Sequence, residues 1–364
     1  MLTSVKLKNI YSIGELSLSF LKGKFSYKKD MIYKEIVNPA AMYGGNGSGK
    51  SSFVNAMNDL LNLLIGDKDA FYPFIANFNQ KKDDSLVELT FKIDNHEYKY
   101  GVTTSFLSSK IVKEFLLKDN KGIFSRNEES VIIGNKEYQV HNHLLLALRD
   151  LYSVCDELGE EKNEIKLVYN YLINMAIIKD NVNCNSKLCN YKNIEDLVVS
   201  NSDEIKRVIS NWKDFPLYDF FREEDSYYLN VYLENIDKFK LPGFLISDGM
   251  LTISKILSIL INLDRNSILI IDCIEKNLHP FTVMNLIKEA QKREVQLIFT
   301  SNNTSLMQEF RPDQIYFSRW NKGFSCYFRL SNIYDNIRKI NNIEKMYLSN
   351  TFDDVINEII NIDE

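Results

Sequence analysis

The sequence predicts an α/β protein: a mixed, largely parallel sheet with helices packed on its faces. Three observations point there. Glu35 to Gly66 reads as an apolar strand, a glycine-rich turn and an amphipathic helix. Ser267 to Asp272 is an apolar run that ends in a carboxylate. Across the last third, apolar strands alternate with helical stripes, as expected of a sheet covered by helices.

In the first of these stretches, Gly44, Gly49, Lys50 and Ser51 fit the spacing G-x-x-x-x-G-K-[ST] of a phosphate-binding P-loop. Small residues there let successive backbone N–H groups wrap phosphate oxygens. Lys50 is expected to reach the outer phosphates of ATP as a point charge, and Ser51 to place its hydroxyl on Mg²⁺. The start of the following helix adds partial positive charge. Asn46, Gly47 and Ser52 complete the candidate nucleotide-binding set. Both flanks agree with a strand–loop–helix unit. Ile36 to Tyr43 is apolar apart from Asn38 and Pro39, and Phe53, Met57, Leu60, Leu61 and Leu64 recur at helical spacing before Gly66, a C-terminal stop.

Composition bounds the rest. At 364 residues and 45% hydrophobic content the chain can bury a large core, enough for two lobes or one domain with an insertion. A net charge of −5 points away from a globally basic nucleic-acid binder, leaving Lys22 to Lys29 as the local patch through which DNA would have to be met. Cysteines 155, 184, 189, 273 and 326 show no framework spacing and no signal segment precedes them, so they read as reduced thiols of a soluble, cytoplasmic protein. No apolar run approaches the roughly 18 residues that span a bilayer.

In chain order, Leu2 to Ile10 and Glu15 to Phe20 form a predicted hairpin. After the P-loop helix come a polar and aromatic segment, 67–84, and the strands Ser85–Ile93, Glu97–Thr104 and Lys110–Leu117, which predict an antiparallel β subdomain. From about Val140 to Lys240 the pattern turns helical, with stripes at Leu144–Leu151 and Ile165–Ile178 and an acidic bend at Asp156–Glu164. Phe215 to Tyr232, rich in aromatics and acids, reads as a packed helix or a partner contact. His141 with His143, and Cys184 with Cys189, lack further ligands at metal spacing and are not assigned as metal sites. The resulting division is 1–130, the first half of the nucleotide-binding domain; 131–240, a helical insertion; 241–330, its second half; and 331–364, a tail.

The second half supplies the remaining chemistry. Leu245 to Met250 precedes a striped helix, Ser267 to Asp272 is a Walker B strand whose Asp272 would hold Mg²⁺, and Val295 to Phe299 leads into Thr300 to Thr304. A further strand covers Gln314 to Phe317.

Taken jointly, GGNGSGKSS, Ser247-Asp-Gly249, IIDCIEKNLHP and TSNNTSLM resemble the RecF- and SMC-like ABC ATPases. Asp313–Phe317, Leu330-Ser331 and Ile343–Leu348 are similar, more narrowly, to single-chain AAA-type ATPases of abortive-infection and anti-phage loci. The resemblance leaves roughly 130–240 unmatched. It implies an ABC-ATPase-like P-loop fold and a head-to-tail homodimer, or a higher oligomer, with ATP held between one protomer's P-loop and the signature helix of the other. Ser247 and Gly249 would then face the partner's γ-phosphate. Gln80 lies where such sites place a metal-touching glutamine, although the sequence favours an exposed loop glutamine there.

Two positions depart from the family. Cys273 stands where a catalytic glutamate usually follows the Walker B aspartate, and Asn302 where a switch histidine usually stands. A thiol is a poor base for water at neutral pH, and losing a positioned base typically costs about 10²- to 10⁴-fold in rate. Glu275 is the candidate replacement base beside Asp272, with loop positioning as its alternative role; Asn302 keeps a hydrogen-bonding side chain for a γ-phosphate or water. The chain therefore reads either as a slow ATPase or as a nucleotide-dependent module whose dimer licenses a separate effector, a nuclease or toxin. A RecF-like DNA-repair ATPase is the third reading, disfavoured by the acidic balance.

Overall fold

The computed structural model describes residues 1–66, 74–77, 79–140, 144–153, 161–179, 182–183, 194–213, 215–224, 226–233, 236–334, 337–338 and 341–362. His141, His143, Cys155, Cys184, Cys189, most of the acidic bend and residues 67–73 lie outside these.

The N-terminal hairpin forms as expected from β1 (Leu2–Ile10) and β2 (Ile13–Ser19). Short strands β3 (Ile32–Tyr33) and β4 (Ile36–Val37) precede β5 (Ala40–Tyr43). The strand expected over 36–43 is thus divided, at a cis Asn38–Pro39 bond, because proline has no amide hydrogen for the ladder. Helix α1 (Lys50–Ile65) closes on Gly66, whose φ of 76° is open to glycine and whose N–H reaches the Asn62 carbonyl. The antiparallel region has six strands rather than three: β6 (Ser85–Ile93), β7 (His96–Ser105), β8 (Lys110–Lys118), β9 (Lys121–Arg126), β10 (Ser130–Ile133) and β11 (Lys136–Gln139).

The stretch 131–240 is not helical throughout. It holds α2 (Ala147–Ser153), α3 (Lys162–Ile173), α4 (Ile194–Ser200) and α5 (Ser202–Ile209), but also β12 (Ala176–Ile178) and β13 (Val182–Asn183). Phe215 to Tyr232, expected as a helix, is instead most of β14 (Leu217–Glu223) and β15 (Ser226–Leu233), which join β16 (Ile236–Pro242) in a separate antiparallel sheet. Alternation decides it: Tyr218 and Phe220 are buried while Asp219 and Phe221 face outward, and Phe221 stacks on Tyr228 across the strands, centroids 5.5 Å apart.

In the last third, α6 (Asp248–Asn262), β17 (Ile268–Ile271), β18 (Gln296–Ser301) and β19 (Ile315–Asn321) fall where expected, with α7 (Pro280–Lys292) between β17 and β18; β20 (Phe324–Arg329) was not foreseen, and the tail holds α8 (Leu330–Ile333), α9 (Ile343–Leu348) and α10 (Asp353–Ile362). One mixed sheet runs β11-β10-β9-β8-β7-β6-β1-β2-β20-β19-β5-β18-β17-β12-β13. Its β19-β5-β18-β17-β12 segment is parallel. These strands are buried on both faces. In β17, Ile268 and Ile270 join the core beneath α1, and Leu269 and Ile271 the core beneath α6 and α7.

One buried carboxylate ties the antiparallel strands to the helices that pack beneath α1. Glu114, with no exposed surface, accepts from the Ala147 and Leu148 N–H groups at 2.6 and 2.9 Å and from the Tyr100 hydroxyl at 2.8 Å, with Arg126 3.8 Å away. Glu114→Ala strands these donors and leaves Arg126 without its buried counter-charge. A loss of about 3–5 kcal/mol in chemical denaturation is expected.

Candidate functional site

The site grows from the parallel register. Tyr43 pairs with Ser301, and Ile271 with Phe299, so β5, β18 and β17 end at one edge. The turn after β5 and the carboxylate after β17 therefore meet there, although they are far apart in sequence.

Within the turn, Gly47 and Gly49 have φ of 77° and 100°, a region that strains any side chain. A Cβ on Gly49 would also stand 2.0 Å from Ser325 Oγ, whereas one on Gly45 or Gly47 would meet nothing within 4 Å. The loop is thus clamped below and open above, at Gly45, Asn46 and Gly47. Lys50 is buried and curls back, donating from Nζ to the carbonyls of Gly44 and Gly45 at 2.6 and 3.0 Å. Burial lowers its pKa, while Cys273, Asp272 and Glu275 pull the other way. The cation accordingly feels the opposite wall of the site. Ser51 is exposed at the helix start, and Ser52 is held by Ser12, hydroxyl to hydroxyl at 2.7 Å. Ser12 also meets Ser325 at 2.6 Å, and Ser48 meets Ser318 at 2.6 Å.

On the opposite wall, the Thr300 hydroxyl donates to Asp272 Oδ1 at 2.5 Å and accepts from the Cys273 N–H at 2.8 Å. Cys273 has φ of 53°, the left-handed region, and so begins a sharp turn directly after the carboxylate. Its thiol is pushed up first by burial and then by Asp272 and Glu275, which keeps it protonated and unfit as a base at neutral pH. Glu275 folds over this turn, and its Oε1 accepts from the Asn302 N–H at 2.6 Å. Its Oε2 is enclosed and has no hydrogen-bond partner among the described residues, as is the Tyr43 hydroxyl. Burial raises Tyr43 well above the usual tyrosine value, and the charges of Glu275 and Glu344 add to the rise.

Ser247 caps α6, its Oγ accepting from the Met250 N–H at 3.3 Å. Gly249 packs so closely on the turn after Asp272 that a Cβ would lie 3.0 Å from the Asn277 carbonyl. A cavity of about 460 Å³ separates the head of α6 from Asp272 and Cys273. The structure thus gathers Gly44, Asn46, Gly47, Gly49, Lys50, Ser51, Ser52, Asp272, Glu275 and Asn302 at one edge. Ser247 and Gly249 stand apart, and no hydrogen bond joins them to the loop among the described residues. Gln80 is half-buried rather than exposed: Asn9 holds its carbonyl at 3.0 Å, and its Oε1 is enclosed with no partner among the described residues.

The donor chemistry fits a magnesium–nucleotide. Ser51 and Asp272 offer hard oxygen donors of the kind Mg²⁺ takes, and Lys50 and the loop amides offer positive charge to phosphate. Ser12, Thr300, Ser318 and Ser325 were not legible as site residues. Thr300 opens a segment whose position was foreseen, but single serines on three other elements carry no pattern.

Fold and site together define a P-loop ATPase of the ABC and SMC-head kind. Residues 40–308 match the family described as "AAA domain, putative AbiEii toxin, Type IV TA system", and the chain belongs to that family. No curated protein matches the chain in sequence. Among solved structures, the SMC head domain from Thermotoga maritima aligns with a TM-score of 0.50 at 15% identity, over 90% of this chain and 98% of its own. An Smc head bound to the C-terminal domain of ScpA, derived from Pyrococcus furiosus, aligns at 0.46 and 14%, over 91% and 97%. At these identities the likeness is one of fold. No helix among the described residues is long and apolar enough to cross a membrane.

Lys50→Ala is expected to lower Mg-ATP affinity at least about thirtyfold in calorimetry, because it removes a buried cation at the loop's mouth.

Proposed function

We propose that this chain is an ATP-switched subunit of an abortive-infection or anti-phage system, which binds Mg-ATP tightly, hydrolyses it slowly and works through a dimer that controls a separate effector. The observation that carries this is the wall beside Lys50. The residue after Asp272 is a protonated thiol, and the nearest spare carboxylate, Glu275, spends one oxygen on the Asn302 N–H while the other is enclosed. A general base has to reach the water it activates. Glu275 is better placed to hold the turn after β18 against the turn after β17, a positioning role that leaves binding intact and turnover low.

The division of labour follows. Loop amides and Lys50 grip the phosphates, Ser51 and Asp272 hold the metal, and Ser247 with Gly249 present a capped helix start that suits the phosphates of a second protomer's nucleotide. ATP then acts as the link between two chains, and its slow loss resets them. The family's description as a toxin of a toxin–antitoxin system supports the defence setting. A nuclease or toxin on another chain is the effector in this reading, and the location is the cytoplasm.

Cys273→Glu places a carboxylate directly after Asp272 and is expected to raise steady-state hydrolysis at least about tenfold, with the larger gain when combined with Asn302→His. Glu275→Gln keeps an oxygen for the Asn302 N–H and is expected to preserve most of the low rate. Loss of that rate in Glu275→Gln would make Glu275 the base and replace this account of turnover. Light scattering is expected to show ATP-dependent dimers in wild type and none in Ser247→Arg, which fills the helix start. Equal mass with and without ATP in wild type would remove the dimer from the proposal.

A further inference from the structure

We infer that Trp320 is the platform on which the nucleobase stacks, an inference that rests on the nucleotide-binding reading above. The direction of the nucleotide follows from the strand order. Asp272 and Thr300 mark the outer-phosphate end, and both lie on the β18-β17 side of β5. A triphosphate gripped at Lys50 with its outer phosphate toward Asp272 must send its nucleoside off the other side of β5, over β19 and β20. That strand pair borders the loop directly. Ser318 on β19 meets Ser48, and Ser325 on β20 fills the space beside Gly49.

Trp320 stands one pleat beyond Ser318 on the same face of β19 and is the cross-strand partner of Ser325, so its ring shares the side on which both serines touch the loop. It is 56% exposed. Exposure of an apolar side chain is ordinary on its own; position is what singles this one out. Among the described residues, neighbouring rings on that side are already engaged: Tyr327 is tied to the Gly49 carbonyl, and Tyr11 donates to Asp59 Oδ2 at 2.6 Å. An indole offers a large flat surface to any purine, without reading its edge.

Calorimetry with Mg-ATP, Mg-GTP and inorganic tripolyphosphate on the full chain tests this. Trp320→Ala is expected to weaken ATP and GTP alike by about five- to hundredfold, the range of base–aromatic stacking. Tripolyphosphate affinity should stay at the wild-type level, and Trp320→Phe should recover most of the loss. Trp320→Ala binding ATP as wild type, while Lys50→Ala does not, would overturn the assignment and leave nucleotide binding standing. Wild type that binds neither ATP nor tripolyphosphate would instead overturn the nucleotide reading, and this inference with it. The chain has two tryptophans, and Trp212 packs edge-on against Phe215, so Trp212→Phe leaves Trp320 as the sole indole emitter. ATP should quench that emission at protein concentrations where the chain is monomeric. A change seen only when the chains self-associate would assign Trp320 to the contact between subunits and overturn the base platform.

Discussion

One hydroxyl organises the wall opposite Lys50. Thr300 gives its proton to Asp272 and takes one from the Cys273 N–H, so a single side chain on β18 fixes both the carboxylate at the end of β17 and the backbone of the turn that follows. The Ile274 N–H adds a bond to the Thr300 carbonyl at 3.1 Å. The same clamp forces the chain into the left-handed region at Cys273, at a residue type that prefers to avoid it. That strain is held in place by the neighbours, since Glu275 reaches across to the next turn and Gly249 packs against Asn277 from the other side.

Much of this was legible in the sequence for a simple reason. The P-loop, its helix and the strand ending in Asp272 are local, each a run of residues whose spacing states the backbone geometry it needs. Gly49 is a case in point: the motif demands glycine there, and the structure shows both the positive φ and the Ser325 hydroxyl that exclude anything larger. What stayed hidden depends on partners far along the chain. Ser12, Ser318 and Ser325 matter only because β20 lies between β2 and β19, an adjacency no short stretch encodes. Phe215 to Tyr232 misled because aromatic residues occupy both parities of β14, with Tyr218 and Phe220 in the core and Phe221 stacked outside. The period of two that marks a strand was blurred by rings that are stable on either face.

Electrostatically, the site sets one cation against two carboxylates across an open mouth. Lys50 is lowered by burial and sustained by Asp272 and Glu275, and the same two carboxylates add to the rise that burial gives the Cys273 thiol. The effects are reciprocal, so a polyphosphate drawn between them would take over the role that the Gly44 and Gly45 carbonyls play for the ammonium.

The placement of β5 bears on how the chain comes to exist at all. Its neighbours in the sheet are β18 and β19, so the strand that carries the phosphate loop has no partner until the last quarter of the polypeptide has been made. During synthesis Lys50 emerges early, on a helix with one unpaired strand behind it, and the loop's lower clamp at Ser318 and Ser325 is still missing. Contacts of such long sequence separation form late and slowly. A chain that stops before β20 therefore carries the whole sequence motif without the strands that flank and clamp it.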